Sequence, residues 1–294
     1  MNSYKSIKKT TKNNAVGLIV GLIVLVLVFL YNSDMNFSTK LDLPQQLEQC
    51  DVIVHYIDVG QGDSTFVQLP DGRSMLIDAG ENDYGDTVVD YIKSSGEDYL
   101  DFVVATHPHS DHIGGMDDVI DEFDVGAFYM PDCSHNTVTF ESMLDSLSEK
   151  EIKPVKAESG VVICNDDNLR IEILSPVTTY DDLNNYSAVV KLTYGNKSFL
   201  FMGDAEQYAE NLISADVSAD VFKVGHHGSS TSTGEEFFNR VNPTFAVISS
   251  GENNDYGHPH KEVLDRLKES NIKIFRTDTD GTVVIGTDGE NLFY

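Results

Sequence analysis

The sequence predicts an α/β protein, more closely an α+β sandwich in which two mixed sheets pack face to face with helices outside. Three observations lead there. From Asp51 onward, short strand-like runs bounded by Gly, Pro, Asn and Asp alternate with stretches of helical spacing. A meander of strands followed by helix–strand units occurs twice without any sequence repeat, and two packed layers bury both sets. Seven of the nine histidines fall in three tight clusters, each following or lying close after an apolar run, so residues with site chemistry collect at strand ends along one rim.

The elements follow in order. Val52–Val59 and Ser64–Leu69 read as strands, Pro70–Arg73 as a turn, and Ser74–Ile77 as a third strand. Asp86–Lys93 is helical and Phe102–Ala105 a buried strand. Met116–Phe123 and Thr137–Glu149 have helical spacing. Val161–Cys164, Leu169–Leu174, Ala188–Tyr194 and Ser198–Met202 are strands, the last two joined by a Gly195-Asn196-Lys197 turn. Ala205–Ile213 is helical. Strands Val221–Val224, Phe245–Ser249 and Ile272–Phe275 are separated by helices near Glu235–Val241 and Lys261–Glu269. Thr282–Ile285 and Asn291–Tyr294 form an edge hairpin.

Residues 1–31 belong to another regime. Lys5, Lys8, Lys9 and Lys12 precede Ala15–Tyr31, a charge-free run at the short end of what spans a bilayer. The lysines predict a cytoplasmic N-terminus, a single transmembrane anchor and an extracytoplasmic domain. The rival is a cleaved signal peptide and a secreted domain, but the run is long for a signal core and no Ala-x-Ala follows it. The expected organisation is therefore a tail and anchor over 1–31, a linker over 32–50 and one folded domain over 51–294.

Beyond residue 31 the chain has 16 basic against 48 acidic residues, a formal charge of −32. A broad electrostatic footprint for DNA is missing, so an anionic substrate has to be held by metals and a few local groups. Cys50, Cys133 and Cys164 are scattered without a Cys-x-x-Cys, which argues against a cysteine zinc site and a disulfide framework.

The densest motif is Thr106-His107-Pro108-His109-Ser110-Asp111-His112-Ile113-Gly114-Gly115, directly after a strand. His107 and His109, two apart, leave extended backbone on the same side. Asp111 and His112 follow as the chain turns and can reach a second metal. The other clusters are His226/His227 in Lys223-Val224-Gly225-His226-His227-Gly228-Ser229 and His258/His260 in Tyr256-Gly257-His258-Pro259-His260. Asp78 and Asp204 each end a strand beside a glycine. A carboxylate there can bridge two metals, with a helix N-cap as the alternative for each, most of all for Asp204, which Ala205-Glu206 follows. Ile57-Asp58-Val59-Gly60-Gln61-Gly62-Asp63-Ser64 is a Gly-rich turn without the Lys or helix of a Walker loop. Asn184-Asn185-Tyr186-Ser187 is a polar loop before a strand. His55 and His135 stand apart, as a strand residue and a loop residue.

In this order, Asp-Val-Gly-Gln-Gly-Asp, Leu-Ile-Asp-Ala-Gly, His-x-His-x-Asp-His, Asn-Asn-x-Ser, Phe-x-Gly-Asp, His-His-Gly-Ser and Tyr-Gly-His-Pro-His, the motifs resemble the metallo-β-lactamase superfamily. Within it the chain is most similar to the hydrolase domain of ComEC/Rec2 DNA-uptake proteins and its free-standing relatives. The resemblance implies an αβ/βα fold with two divalent metal ions, Zn2+ or Mn2+, at one edge. It implies that His107 and His109 bind the first metal, Asp111 and His112 bind the second with one of His226 and His227, and Asp204 bridges both. Asp78 orients the ligands. Asp63, Asn184, Asn185 and Ser187 support the site. His258 and His260 sit at the rim near the phosphate or leaving group, with His260 catalytic beside Asp111 and Asp204. Many superfamily members carry a further histidine before the bridging aspartate; here that stretch holds Asn184–Ser187. The first metal then has an oxygen ligand or an open position, which favours Mn2+.

The implied activity is metal-dependent hydrolysis of a phosphodiester by a metal-bridging hydroxide, with DNA among the candidate substrates. The alternatives are a cell-wall phosphodiesterase of the choline-phosphate esterase type, a β-lactamase or other amide hydrolase, and a metal-binding sensor without turnover. The many membrane spans of ComEC are absent, so DNA transport does not carry over. The Gly251–Gly257 rim loop is positioned to set specificity.

Overall fold

The computed structural model describes residue 41 and residues 43–294. The predicted tail and anchor over 1–31, and much of the linker, lie outside the described residues. Among the described residues no helix is long and apolar enough to cross a membrane.

The first half runs β1 (Val52–Tyr56), β2 (Thr65–Gln68), β3 (Ser74–Ile77), α1 (Gly85–Ser95), β4 (Tyr99–Val104), α2 (Ser110–Ile113), α3 (Met116–Glu122), β5 (Asp124–Met130), α4 (Val138–Glu149) and β6 (Val155–Lys156). The second half runs β7 (Val162–Asn165), β8 (Leu169–Ser175), β9 (Val189–Tyr194), β10 (Lys197–Phe201), α5 (Gln207–Leu212), β11 (Val221–Lys223), α6 (Glu235–Val241), β12 (Phe245–Ile248), α7 (Lys261–Glu269), β13 (Lys273–Arg276), α8 (Thr277–Asp280), β14 (Val283–Thr287) and β15 (Leu292–Phe293).

They form an eight-stranded sheet, β15-β14-β1-β2-β3-β4-β5-β6, and a seven-stranded sheet, β13-β12-β11-β10-β9-β8-β7. Both are mixed, as expected. Antiparallel pairs join sequence neighbours, β1/β14 excepted, and helical crossovers supply parallel ones such as β3/β4, β10/β11 and β11/β12. Strand alternation builds the layers. Met75 and Ile77 face an inter-sheet core with Phe199 and Phe201, while Leu76 faces outward to Val88, Ile92, Val119 and Phe140. Leu200 and Phe222 likewise pack outward on Phe237, Phe238, Val263 and Leu267.

Three expectations change. The sequence reading has no strand over Asp124–Met130, yet β5 pairs along β4 in parallel. Its Asp124 and Gly126 look like turn residues, and neighbouring strands override that propensity. The first strand ends at Tyr56, and Ile57 and Val59 turn to the outer core. Asp204 is not an N-cap, because α5 begins only after Glu206. The C-terminal hairpin sits at the sheet edge as expected, and its inner strand β14 also pairs in register with β1, from Val52↔Thr287 to Tyr56↔Val283.

Candidate metal centre

The site collects loops at the ends of β3, β4, β10, β11 and β12, one rim of the sandwich. Close backbone approach makes this possible. A Cβ at Gly62 would lie 2.4 Å from the Asp111 carbonyl oxygen, and one at Gly203 (φ +51) would crowd Ser187 and Thr106.

Asp78, fully buried at the end of β3, accepts from Thr106 N–H (2.7 Å) and Thr106 O–H (2.6 Å) and pairs with His112 Nδ1 at 2.7 Å. A carboxylate can only accept, so His112 donates through Nδ1 and aims Nε2 inward, 3.2 Å from Asp204 Oδ1. His227 is set the same way. Its Nδ1 lies 3.1 Å from the Ser249 carbonyl oxygen, and its Nε2 lies 3.2 Å from Asp111 Oδ2 and 3.5 Å from Asp204 Oδ1. His107 Nδ1 meets Ser187 Oγ (3.3 Å), and its Nε2 faces His109 Nδ1 at 3.0 Å.

Asp204 joins the two halves. Its Oδ1 faces His112 and His227, while Oδ2 lies 3.9 Å from His107 Nε2 and 3.6 Å from His226 Nε2. Its backbone N–H donates to Ser187 Oγ (2.9 Å). The His226-His227 step is what divides the pair. Both residues have left-handed backbone, φ 50° and 52°, and their rings face different oxygens of Asp204.

Donor atoms of Asp111, His112, Asp204 and His227 all lie within 4.8 Å of one another. His112 Nε2 and Asp204 Oδ1 are buried without a hydrogen-bond partner. Buried, unpartnered imidazole and carboxylate lone pairs converging on one point fit a divalent cation. Burial opposes charge on His227, but Asp204, Asp111 and Asp63 outweigh it and lift its pKa to about 10. Burial likewise opposes charge on His112, and Asp204, Asp78 and Asp111 outweigh it and hold its pKa well above the usual histidine range. A cation has to displace those protons.

The remaining expected residues are placed less uniformly. Asn185 caps the next helix region: its Oδ1 accepts from Ala209 N–H (3.2 Å) and its Nδ2 donates to Glu206 (3.3 Å). Asn184 Oδ1 is buried without a partner. The His258 ring lies 6.1 Å from that of His227, its Nδ1 is buried without a partner, and burial holds its pKa down at about 4. Both His260 nitrogens are engaged, Nδ1 by Ser230 N–H (2.9 Å) and Nε2 by the Tyr256 carbonyl (3.3 Å). His260 is thereby placed behind His258.

Two residues escape the sequence reading. Lys223, buried at the end of β11, donates to Asp63 Oδ2 (2.8 Å), and Asp63 Oδ1 lies 3.4 Å from His227 Nδ1. Its place beside the His226-His227 motif is the one signal the sequence offers. His135 does not stand apart: its Nδ1 meets the Pro108 carbonyl (3.2 Å), and its ring lies 5.6 Å from that of His109. His55 is a satisfied strand histidine, between Tyr91 (3.0 Å) and Gln68 (3.1 Å).

Residues 57–252 match the profile of the "Metallo-beta-lactamase superfamily". The chain is 34% identical over 251 residues to "ComE operon protein 3" of Bacillus subtilis (strain 168), covering 78% of this chain and 32% of that protein. It is 27% identical over 291 residues to "Recombination protein 2" of Haemophilus influenzae, covering 96% and 33%. The chain thus spans about a third of the length of these relatives. Among solved structures, the metallo-beta-lactamase fold protein YhfI from Bacillus subtilis superposes with a TM-score of 0.52 at 13% identity, covering 80% of this chain and 98% of that one. A long form RNase Z from yeast gives 0.52 at 14%, covering 83% and 43%. At these identities the likeness is one of fold.

Proposed function

The chain belongs to the metallo-beta-lactamase superfamily as a metal-dependent hydrolase, and from that premise we propose that it is a two-metal phosphodiesterase, anchored by residues 1–31 with its catalytic domain, residues 51–294, outside the cytoplasm. The observation that carries the reading is Asp204, whose two oxygens face different histidine sets. In this reading Asp111, His112, His227 and Asp204 would hold one cation. His107, His109 and Asp204 would hold the second, with His226 beside Asp204 where Asn184–Ser187 supply no histidine. Zn2+ and Mn2+ both suit this donor set. Two such cations, when bound, activate water and stabilise the charge of an in-line displacement at phosphorus.

The chain's own residues do the rest. Asp78 and Ser249 fix the tautomers of His112 and His227, and Ser187 holds the Asp204 backbone. We place His258 at the phosphate or leaving group, beside the site, where its ring lies 6.1 Å from that of His227. We assign His260 to bracing that loop, because its ring nitrogens are already engaged. DNA remains a candidate substrate on the strength of the relative named Recombination protein 2.

The test is the full chain assayed with Zn2+, Mn2+ and chelator against bis-p-nitrophenyl phosphate and nitrocefin. Phosphodiester turnover that chelator abolishes is expected. Asp204→Ala or His109→Ala should remove it, by at least about 100-fold, together with bound metal. Nitrocefin turnover that equals or exceeds phosphodiester turnover would turn the reading to an amide hydrolase.

A further inference from the structure

The Gly251–Gly257 loop holds one exposed ring on a fixed frame. Tyr256 is 67% exposed. Asn254 clamps the loop beneath it, donating to the carbonyls of Gly251 (2.9 Å) and His258 (2.6 Å) and accepting from His258 N–H (3.0 Å). His260 Nδ1 accepts from Ser230, so its proton sits on Nε2 and reaches the Tyr256 carbonyl at 3.3 Å. The backbone is tied from two sides while the ring is given to water.

That ring is the outer rung of a ladder. Tyr256 lies nearly parallel to His258, with centroids 5.6 Å apart and planes at 19°. His258 lies nearly parallel to His227, at 6.1 Å and 28°. His227 in turn faces Asp111 and Asp204. A row of flat faces thus runs from solvent to the carboxylates of the site, with His258 as its middle rung.

Charge says what can use such a row. The loop carries Glu252 and Asp255 and no cation, on a chain of formal charge −28. Whatever part of a substrate lies beyond the phosphate is not held there by Coulomb attraction. Ring stacking is indifferent to that charge, and one base on one aromatic side chain contributes roughly 1–3 kcal/mol. A group on this loop has to be planar and joined to the phosphate by a short spacer.

We propose that Tyr256 is a specificity-determining residue that stacks on the nucleobase next to the scissile phosphodiester. The proposal rests on the phosphodiesterase reading and narrows it to nucleotide substrates. Because a base in a duplex has both faces covered, the stack selects unpaired nucleotides, such as single strands and frayed ends.

The experiment uses two ligands that differ only in the base, thymidine 5′-monophosphate and 2-deoxyribose 5-phosphate, titrated calorimetrically into the metal-loaded full chain. The parent should bind the thymidine compound on the order of tenfold more tightly. Tyr256→Ala should erase that difference, and Tyr256→Phe, which keeps the flat face, should retain it. Equal affinity of the parent for both ligands, or equal weakening of both by Tyr256→Ala, overturns the proposal. Turnover of bis-p-nitrophenyl phosphate in the same preparations reports on the underlying reading. Turnover without base preference sinks the stack alone, and absence of turnover sinks the phosphodiesterase reading.

Discussion

At the scale of single residues, Lys223 and Asp63 separate the chemistry of the site from its scaffolding. The pair is buried, and Asp63 also touches the back of His227 and takes a backbone contact from the Asp111 loop, its N–H donating to the Asp111 carbonyl at 3.0 Å. Removing one partner of a buried ion pair costs about 3–5 kcal/mol, because the other charge is stranded, whereas a neutral pair of similar shape is often tolerated. Lys223→Met should therefore lower Tm sharply, and the double variant Asp63→Asn/Lys223→Met should recover most of it. Metal affinity should not recover with it, remaining about 10-fold or more below the parent, as expected when the group behind a ligand is lost. Full recovery of both properties would make the pair scaffolding only. The candidate ligands were legible as a group, since His-x-His-x-Asp-His concentrates them in one loop. That His226 and His227 face different oxygens of Asp204 was not, because it depends on two consecutive left-handed backbone angles. His135 was missed for a related reason: its nearness to His109 depends on β5, which the sequence reading lacked.

At the scale of elements, α5 shows how a helix is tied into the site region. Its Glu210 is fully buried and accepts the N–H groups of Thr233 and Gly234, which follow the His226-His227 loop and lead into α6. Burial lifts the Glu210 carboxyl from 4.5 to about 7, against those two hydrogen bonds and Arg266. A carboxyl raised in the fold favours the protonated form, so its contribution is full below about 4.5 and is lost as pH rises through about 7. Glu210→Gln keeps the shape without the charge. Its stability relative to the parent should improve by roughly 1–3 kcal/mol between pH 5 and pH 8, read as a difference in urea midpoints. A constant difference across that range would show that Glu210 does not titrate in the fold. Elements such as α1, α4 and α7 were legible because their apolar faces recur at helical spacing. β6 was not, because two exposed residues, Val155 and Lys156, carry no pattern of their own and exist as a strand only through β5.

At the scale of the whole molecule, the sandwich was legible from the doubled order of strands and helices, while the joining of the C-terminal hairpin to β1 was not. Strand neighbours distant in sequence leave no local mark, and β1 and β14 are such a pair. The anchored topology predicts that protease added to intact cells removes the domain after Tyr31, because the N-terminal lysines keep that end inside. Protection in intact cells with an accessible envelope, lost only on lysis, would place the domain in the cytoplasm. The β1–β14 pairing has a consequence in time. As the chain is made from its N-terminus, β1 emerges with β2 for a neighbour and keeps one open edge until residues 283–287 arrive. The growing chain thus spends almost the whole of its synthesis with that edge exposed, and whatever shelters the nascent protein has to do so until the β14–β15 hairpin has emerged.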